Sequence, residues 1–236
     1  MQRLFHITLI CLLFSLQACT APVKDKSQAR LITLADFPED VYKTAAKDGE
    51  PVYAVDTEQS EVEIYVYKGG TFARMGHDHV VSSRDIHGYV MLPAESGKTQ
   101  ADIYVPLNTL IVDDPQKRLN AGFKSSLKEQ DVDGTRRNML DKVLEADRYP
   151  YVFIHVESEG DIYKHQMVNV ELTLHGVSKQ FTVPVEIEYS KDSLNVAGKL
   201  VLKQTDFGIE PYSVLGGVLR VKDAVVLVFR LHTKKL

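Results

Sequence analysis

From residue 51 onward the chain alternates apolar and polar side chains with a period of two, and that period constrains it to a β fold. Successive side chains of a strand point to opposite faces, so each alternating run has one dry face and one wet face. Between Glu61 and Tyr67, Val62, Ile64 and Val66 alternate with Glu61, Glu63, Tyr65 and Tyr67. Residues 99–107 set Ala101, Ile103 and Val105 against Asp102 and Tyr104. Val168, Val170, Leu172 and Leu174 alternate with Asn169, Glu171, Thr173 and His175, and Phe181, Val183, Val185 and Ile187 continue the pattern. Further strands are predicted at 52–56, 86–92, 151–157, 193–202 and 223–233. Short strands at this spacing, with turn residues between them, predict an all-β antiparallel sandwich or barrel.

One segment breaks the period. Residues 114–150 are charged, carry leucines at helical intervals and end at Pro150, which predicts short helices near 115–129 and 134–145. Their Leu119, Phe123, Leu127, Met139, Leu140 and Leu144 need an apolar surface to bury against, such as a barrel end or an open sheet face.

A closed barrel of about eight strands either fills its interior with side chains or leaves room for one ligand. The inward positions Val62, Ile64, Val66, Ile103, Val105, Leu172 and Leu174 are therefore candidate ligand contacts. A hollow interior of this composition suits a long apolar guest, because burial contributes about 0.8 kcal/mol per methylene. The alternation is the same for a solid barrel and a hollow one.

The N-terminus is different material. One basic residue, Arg3, precedes an apolar run from Leu4 to Leu16. That run makes roughly 20 Å of helix, short of the roughly 30 Å of a bilayer core, and reads as a signal peptide over 1–18. Leu16-Gln17-Ala18-Cys19 resembles a lipobox, in which the cysteine is lipidated and becomes the first mature residue. Thr20 follows it, and by resemblance to Gram-negative lipoproteins this implies the periplasmic side of the outer membrane. Residues 19–50 read as a lipidated start and tether, with one short helix before Gly49, and residues 51–236 as the barrel domain. The two cysteines, Cys11 and Cys19, leave no pair for a disulfide in the mature chain. A formal charge of −4 argues against nucleic acid as a partner.

Three of the eight histidines, His77, His79 and His87, lie within fourteen residues of Arg74. On a strand, His77 and His79 would share a face, and His87 would join them only if Val81–Asp85 turned the chain back on itself. The pattern favours histidines that line the barrel mouth over histidines that contact a head group, and both over a metal site. Arg74, His77 and His79 are the polar candidates for ligand contact, with Arg74 and Lys68 suited to an anionic head. No HExxH, no CxxC and no Gly-x-Ser-x-Gly occurs, so neither a resident metal nor a catalytic residue is assigned. Asp113-Asp114, before Pro115, reads as a turn.

Several stretches, in order, resemble the YceI-like family of bacterial periplasmic proteins. They are YAVDTEQSEVEIYVYKGG from Tyr53, GHDH from Gly76 with the Gly88 strand after it, and MLDKVLEADRYPYVFIHV from Met139. VELTLHGVSKQFTVPV from Val170, DFGI from Asp206 and VKDAVVLVF from Val221 complete the set. The resemblance implies a lipocalin-like antiparallel barrel, crossed by a helix, that holds a polyisoprenoid, a quinone-like lipid or another amphiphile. The expected function is therefore binding or carriage of an isoprenoid-type lipid in the cell envelope, with no cofactor beyond that ligand. A membrane protein that loads or unloads it is a further partner class. The competing readings are a His-dependent metal-binding protein or enzyme, and a structural envelope lipoprotein.

Overall fold

The computed structural model describes residues 31–93, 98–123, 126–159 and 166–236. Twelve strands account for most of them. They are β1 (Val52–Val55), β2 (Glu61–Gly69), β3 (His79–Ser83), β4 (His87–Met91), β5 (Lys98–Pro106) and β6 (Ile111–Val112). Then follow β7 (Tyr151–Glu159), β8 (Gln166–Leu174), β9 (Val177–Tyr189), β10 (Ser193–Lys203), β11 (Ser213–Val214) and β12 (Leu219–Lys235). The helices are α1 (Glu39–Lys47), α2 (Pro115–Asn120) and α3 (Glu129–Arg137), the last running directly into a π-helical turn at Asn138–Val143.

The strands close into an antiparallel barrel in the order β1-β4-β5-β7-β8-β9-β10-β12, with β12 returning to β1. Six short strands act as three long ones. β1 and β2 follow each other along one edge of β12, where Val55 faces Thr233 and Glu61 faces Arg230. In the same way β3 on β2 is continued by β4 on β1, and β5 on β4 is continued by β6 on β3. Counted so, eight strands make the wall, as the spacing of the alternating segments predicts.

Each break has a local cause. Between β1 and β2 the Asp56 carboxylate accepts the Glu58 N–H at 3.1 Å and the Gln59 amide at 2.7 Å, which folds an Asx turn. Buried Ser60 then donates to the His232 carbonyl and accepts the His232 N–H at 2.9 Å, replacing the missing rung of the ladder. Between β3 and β4 the chain bends at Arg84–Ile86 but keeps its direction, so the turn-back considered for Val81–Asp85 does not occur. Gly88 follows that bend at φ +151°, and a Cβ there would lie 2.3 Å from the Asp102 carbonyl. Only glycine admits so close an approach of β4 to β5.

The β8–β9 hairpin turns on His175 and Gly176, whose φ angles of 53° and 71° make the two-residue turn that matches strand twist. His175 is a turn residue, as its place before Gly176 suggests, and its ring packs on Tyr149 at 4.5 Å.

The helices differ from the sequence expectation in extent. The first predicted helix covers 115–120 and stops, and Leu119 is 69% exposed, so it is not one of the buried anchors. The second begins earlier, at Glu129, and lays Met139, Leu140 and Leu144 against Val81, Leu107 and Val112 across one end of the barrel. At the opposite end Tyr53, Leu92 and Leu194 pack together beneath Val90 and Ala101.

α1 packs against the outside of the barrel. Tyr42 is completely buried, stacks on Tyr89 at 5.4 Å and donates its hydroxyl to the Asp102 carboxylate at 2.5 Å. Burial first, and the adjacent carboxylate second, push the Tyr42 hydroxyl far above its ordinary pKa. Phe37 adds an edge contact to Tyr104 at 4.9 Å. The segment from residue 34 therefore docks on the outer wall of β4 and β5, and the folded body begins before residue 51.

Candidate ligand cavity

The barrel is hollow. A continuous cavity of about 440 Å³ runs between the Tyr53 end and the helical cover, within the size range of small-molecule sites. Val62, Ile64, Val66, Ile103, Val105, Leu172 and Leu174, the seven inward positions read from the alternation, all line it. Strands β9, β10 and β12 add Val183, Val185, Leu200, Leu227 and Phe229. Many of these inward side chains, including Val62, Ile64, Val170 and Leu227, are only half-buried, although they face away from bulk solvent. Their exposed area lies inside the barrel, which is the area a guest would cover.

A glycine makes room for one aromatic ring in the wall. Gly198 of β10 lies opposite Phe229 of β12, and a Cβ on it would sit 2.5 Å from the Phe229 ring. The ring occupies the place of the missing side chain and so lies along the wall.

The lining is apolar except near the ends. His79, Thr135, Asn138, Gln204 and Tyr212 mark the end crossed by α3, and Thr99 and Ser158 mark the other. Among the described lining residues there is no Lys, Arg, Asp or Glu.

Behind His79 lies a buried charge cluster where the sequence predicts only a turn. The His79 Nδ1 is 2.6 Å from Asp113 Oδ2. The other carboxylate oxygen accepts the Val80 N–H at 3.1 Å and the Arg118 Nη1 at 2.5 Å. Arg118 also donates to the Asp78 carbonyl at 2.7 Å, and its guanidinium lies 5.6 Å over the Phe123 ring. Both Asp113 and Arg118 are buried, with 3% and 4% of their surface exposed. Burial alone would raise the Asp113 pKa, but the His79 hydrogen bond, Arg118 and the Val80 N–H outweigh it and hold the carboxyl below its usual range.

The sequence Asp113-Asp114-Pro115-Gln116-Lys117-Arg118 explains the cluster. Asp114 caps α2 by accepting the Gln116 and Lys117 N–H groups at 3.0 Å, and Pro115 supplies the first helical residue. One turn later Arg118 points back at Asp113. Asp113 itself adopts φ +56°, a conformation unusual outside glycine, and its N–H donates to the Val80 carbonyl at 2.8 Å. The acid–acid–proline sequence, followed by arginine at the fourth helical position, is the local signal for the Asp113–Arg118 pair.

The other polar candidates are placed elsewhere. Arg74 and His77 are exposed on the β2–β3 loop and are not among the residues that line the cavity. Lys68 donates to the Gly76 carbonyl at 3.1 Å and so braces that loop. His87 points outward, stacks on Tyr104 at 5.0 Å and bonds Asp85 at 2.6 Å. His155, to which the sequence assigns no role, lies outside the barrel and bonds Asp102 at 2.7 Å. Among the described residues no three His, Cys, Asp or Glu side chains converge as a metal site. Cys19 and the signal segment lie outside the described residues.

A YceI-like domain matches residues 53–233, which takes in the wall except for the first residue of β1 and the last two of β12. The chain belongs to the YceI-like family. Burkholderia cenocepacia BcnA shares the fold at TM-score 0.55 and 15% identity, over 75% of this chain and 98% of BcnA. A polyisoprenoid-binding domain from Saccharophagus degradans, described as implicated in plant cell wall breakdown, aligns at TM-score 0.54 and 16% identity, over 78% of this chain and 98% of that one. No curated protein matches in sequence. The match begins at Tyr53, so α1 lies outside the matched residues.

Proposed function

We propose that this YceI-like protein binds an isoprenoid-type lipid, or another amphiphile with a long apolar tail, inside its barrel and carries it within the cell envelope. The observation that carries the reading is the 440 Å³ cavity, apolar along its length and polar only toward its ends. An isoprenoid or acyl tail gains about 0.8 kcal/mol per methylene by leaving water for such a wall, and no shorter polar metabolite would find partners there. The description of the Saccharophagus degradans domain as polyisoprenoid-binding supports the same class of ligand. The reading is of a binding protein whose only bound molecule is that lipid.

The proposal includes a location. Lipidation of Cys19 would hold the barrel at the periplasmic side of the outer membrane, because several acyl chains give the stable attachment that one does not. Cys19→Ala is then expected to move the protein into the soluble fraction or to stall its maturation, and a variant still in the outer membrane would refute the anchor.

The ligand reading is tested by extracting the purified protein with organic solvent and identifying the extract by mass spectrometry. A stoichiometric amphiphile is the expected result. A protein that yields none, and that fails to take up an added isoprenoid when delipidated, has no carrier function.

A further inference from the structure

One rim of the barrel carries a surface patch that the cavity does not explain. We propose that the β2–β3 loop and the start of β12 form a docking surface for an anionic phospholipid bilayer, with Phe72 and Met75 entering the lipid and Arg74, Arg220 and Lys222 facing its headgroups. The proposal goes beyond the carrier reading and names a membrane contact separate from Cys19.

Strand register brings the patch together. Arg220 of β12 faces Gly69 of β2, and Val221 faces Lys68. Beyond that rung the loop folds onto the same strand. The Phe72 N–H donates to the Val218 carbonyl at 2.9 Å, and Gly76 lies against the Leu219 side chain. The chain makes a 3-10 turn at Ala73–Met75, and the Lys68 ammonium braces its far side through the Gly76 carbonyl. The turn leaves its two large apolar side chains outside: Phe72 is 44% exposed and Met75 67%.

Charge sets the partner. Residues 68–78 and 218–222 hold four cations, Lys68, Arg74, Arg220 and Lys222, and one carboxylate, Asp78. The whole chain has a formal charge of −4, so this rim is opposite in sign to the molecule. Asp78 is half-buried and accepts the Lys68 N–H at 2.9 Å. The next carboxylate along β12, Asp223, turns to the Thr205 N–H and hydroxyl at 2.9 and 2.7 Å. Asp206 and Glu210 are exposed on the segment after β10, which flanks the patch where Gln204 donates to the Lys222 carbonyl. Arg74 and Arg220 are exposed and form no ion pair among the described residues. Cations of this kind are attracted to an anionic leaflet, while the apolar side chains between them leave water below its headgroups. Two exposed side chains cover far less than the about 800 Å² that each side of a stable protein interface buries. A bilayer needs no surface of matching shape.

The patch adjoins the cavity. Val221, between Arg220 and Lys222, lines it, and so does His79, the residue after Asp78. Tyr212 lines it as well, and its carbonyl accepts the Val221 N–H at 2.9 Å. A barrel docked by this rim turns that end of its cavity toward the bilayer.

The chain contains no tryptophan, so Phe72→Trp supplies a single reporter. The full chain is purified and combined with vesicles of phosphatidylcholine and phosphatidylglycerol at about 3:1, the phosphatidylcholine carrying brominated or plain acyl chains. The emission of Phe72→Trp should shift to the blue and be quenched by the brominated chains. Met75→Trp should behave alike, and it serves if the first variant does not fold. Met167→Trp, exposed on β8 toward the Tyr53 end, should remain unquenched. Adding Arg74→Glu to the reporter chain replaces attraction by repulsion. The ratio of docked to undocked rim, read from the quenched fraction, should then fall about thirtyfold, two steps of roughly fivefold per charge. Salt at about 1 M, which shortens the screening length to about 3 Å, should also lower it. Quenching of Phe72→Trp and Met75→Trp no greater than that of Met167→Trp leaves the rim in water and overturns the proposal. Equal quenching by vesicles of phosphatidylcholine alone, or an unchanged ratio in Arg74→Glu, removes the charge selection and overturns it as well. A blue shift in native envelope membranes that protein-free vesicles do not reproduce would assign the rim to a membrane protein, against the proposal. None of these readouts involves the cavity ligand, so the carrier reading is decided separately by the solvent extraction.

Discussion

Val170→Phe separates a hollow barrel from a filled one. Val170 lies on β8, faces inward between Val156 of β7 and Phe181 of β9, lines the cavity and is only half-buried. The substitution adds four carbon atoms. If the space beside Val170 is empty in the free protein, the new ring enters it without displacing a neighbour. The ligand then loses about that many methylene-sized groups of contact, or about 3 kcal/mol, which weakens binding by roughly a hundredfold. If the space is already filled by side chains, the same ring overpacks a core and costs about 1–3 kcal/mol of folding stability. The assay pairs a urea melt of the delipidated protein with a titration of an isoprenoid alcohol. The hollow barrel predicts a melt within about 0.5 kcal/mol of wild type and a large loss of affinity. A destabilised protein that still binds normally would refute the reasoning.

Gly198→Ala places a methyl group 2.5 Å from the Phe229 ring and should drive that ring off the wall, lowering stability by about 1–3 kcal/mol in a denaturant melt and reducing the ligand capacity of the cavity; an unchanged melt would mean that the ring is free to move. Tyr42→Phe removes the hydroxyl donated to Asp102 and should cost about 1.5–3 kcal/mol, the range for a hydrogen bond to a charged group, with increased proteolysis before residue 51; a neutral result would show that α1 is held by ring packing alone. Asp113 is held below its ordinary pKa, so its contribution to stability is complete above the unfolded value near pH 4 and is lost as the pH falls through the folded value. The stability gap between wild type and Asp113→Asn should accordingly narrow in urea melts taken below about pH 4, and a gap that stays constant down to pH 2 would contradict the assigned pairing.

The inner face of the barrel was legible without coordinates. Ile64, Ile103 and Leu172 are inward because side-chain direction in a strand is a local property of the backbone, and their polar neighbours fix which face is dry. The same locality explains His175, since a two-residue turn before Gly176 needs only those two residues. What lay between strands was not legible in this way. The residues of Val81–Asp85 suit a turn, yet β3 continues into β4, because β1 and β2 offer one continuous edge along β12 and a strand already paired with that edge gains more by following it. That continuation moves His87 outside and leaves His79 alone of the three histidines at the cavity.

Leu119, placed in the core by helical spacing, is exposed because α2 ends at Asn120, before its apolar side can reach a surface. Arg74 and His77 are near His79 in the chain, which made them candidates for the ligand, but the strand begins at His79 and leaves both in the loop. The partner that matters to His79 is Asp113, thirty-four residues away, and no local pattern announces a contact across that distance. The alternation alone determined that this chain has an apolar interior. Whether that interior is filled or hollow depends on the circumference that eight strands enclose and on side-chain volumes summed around it, from Gly198 to Phe229, and those quantities exist only once the barrel has closed.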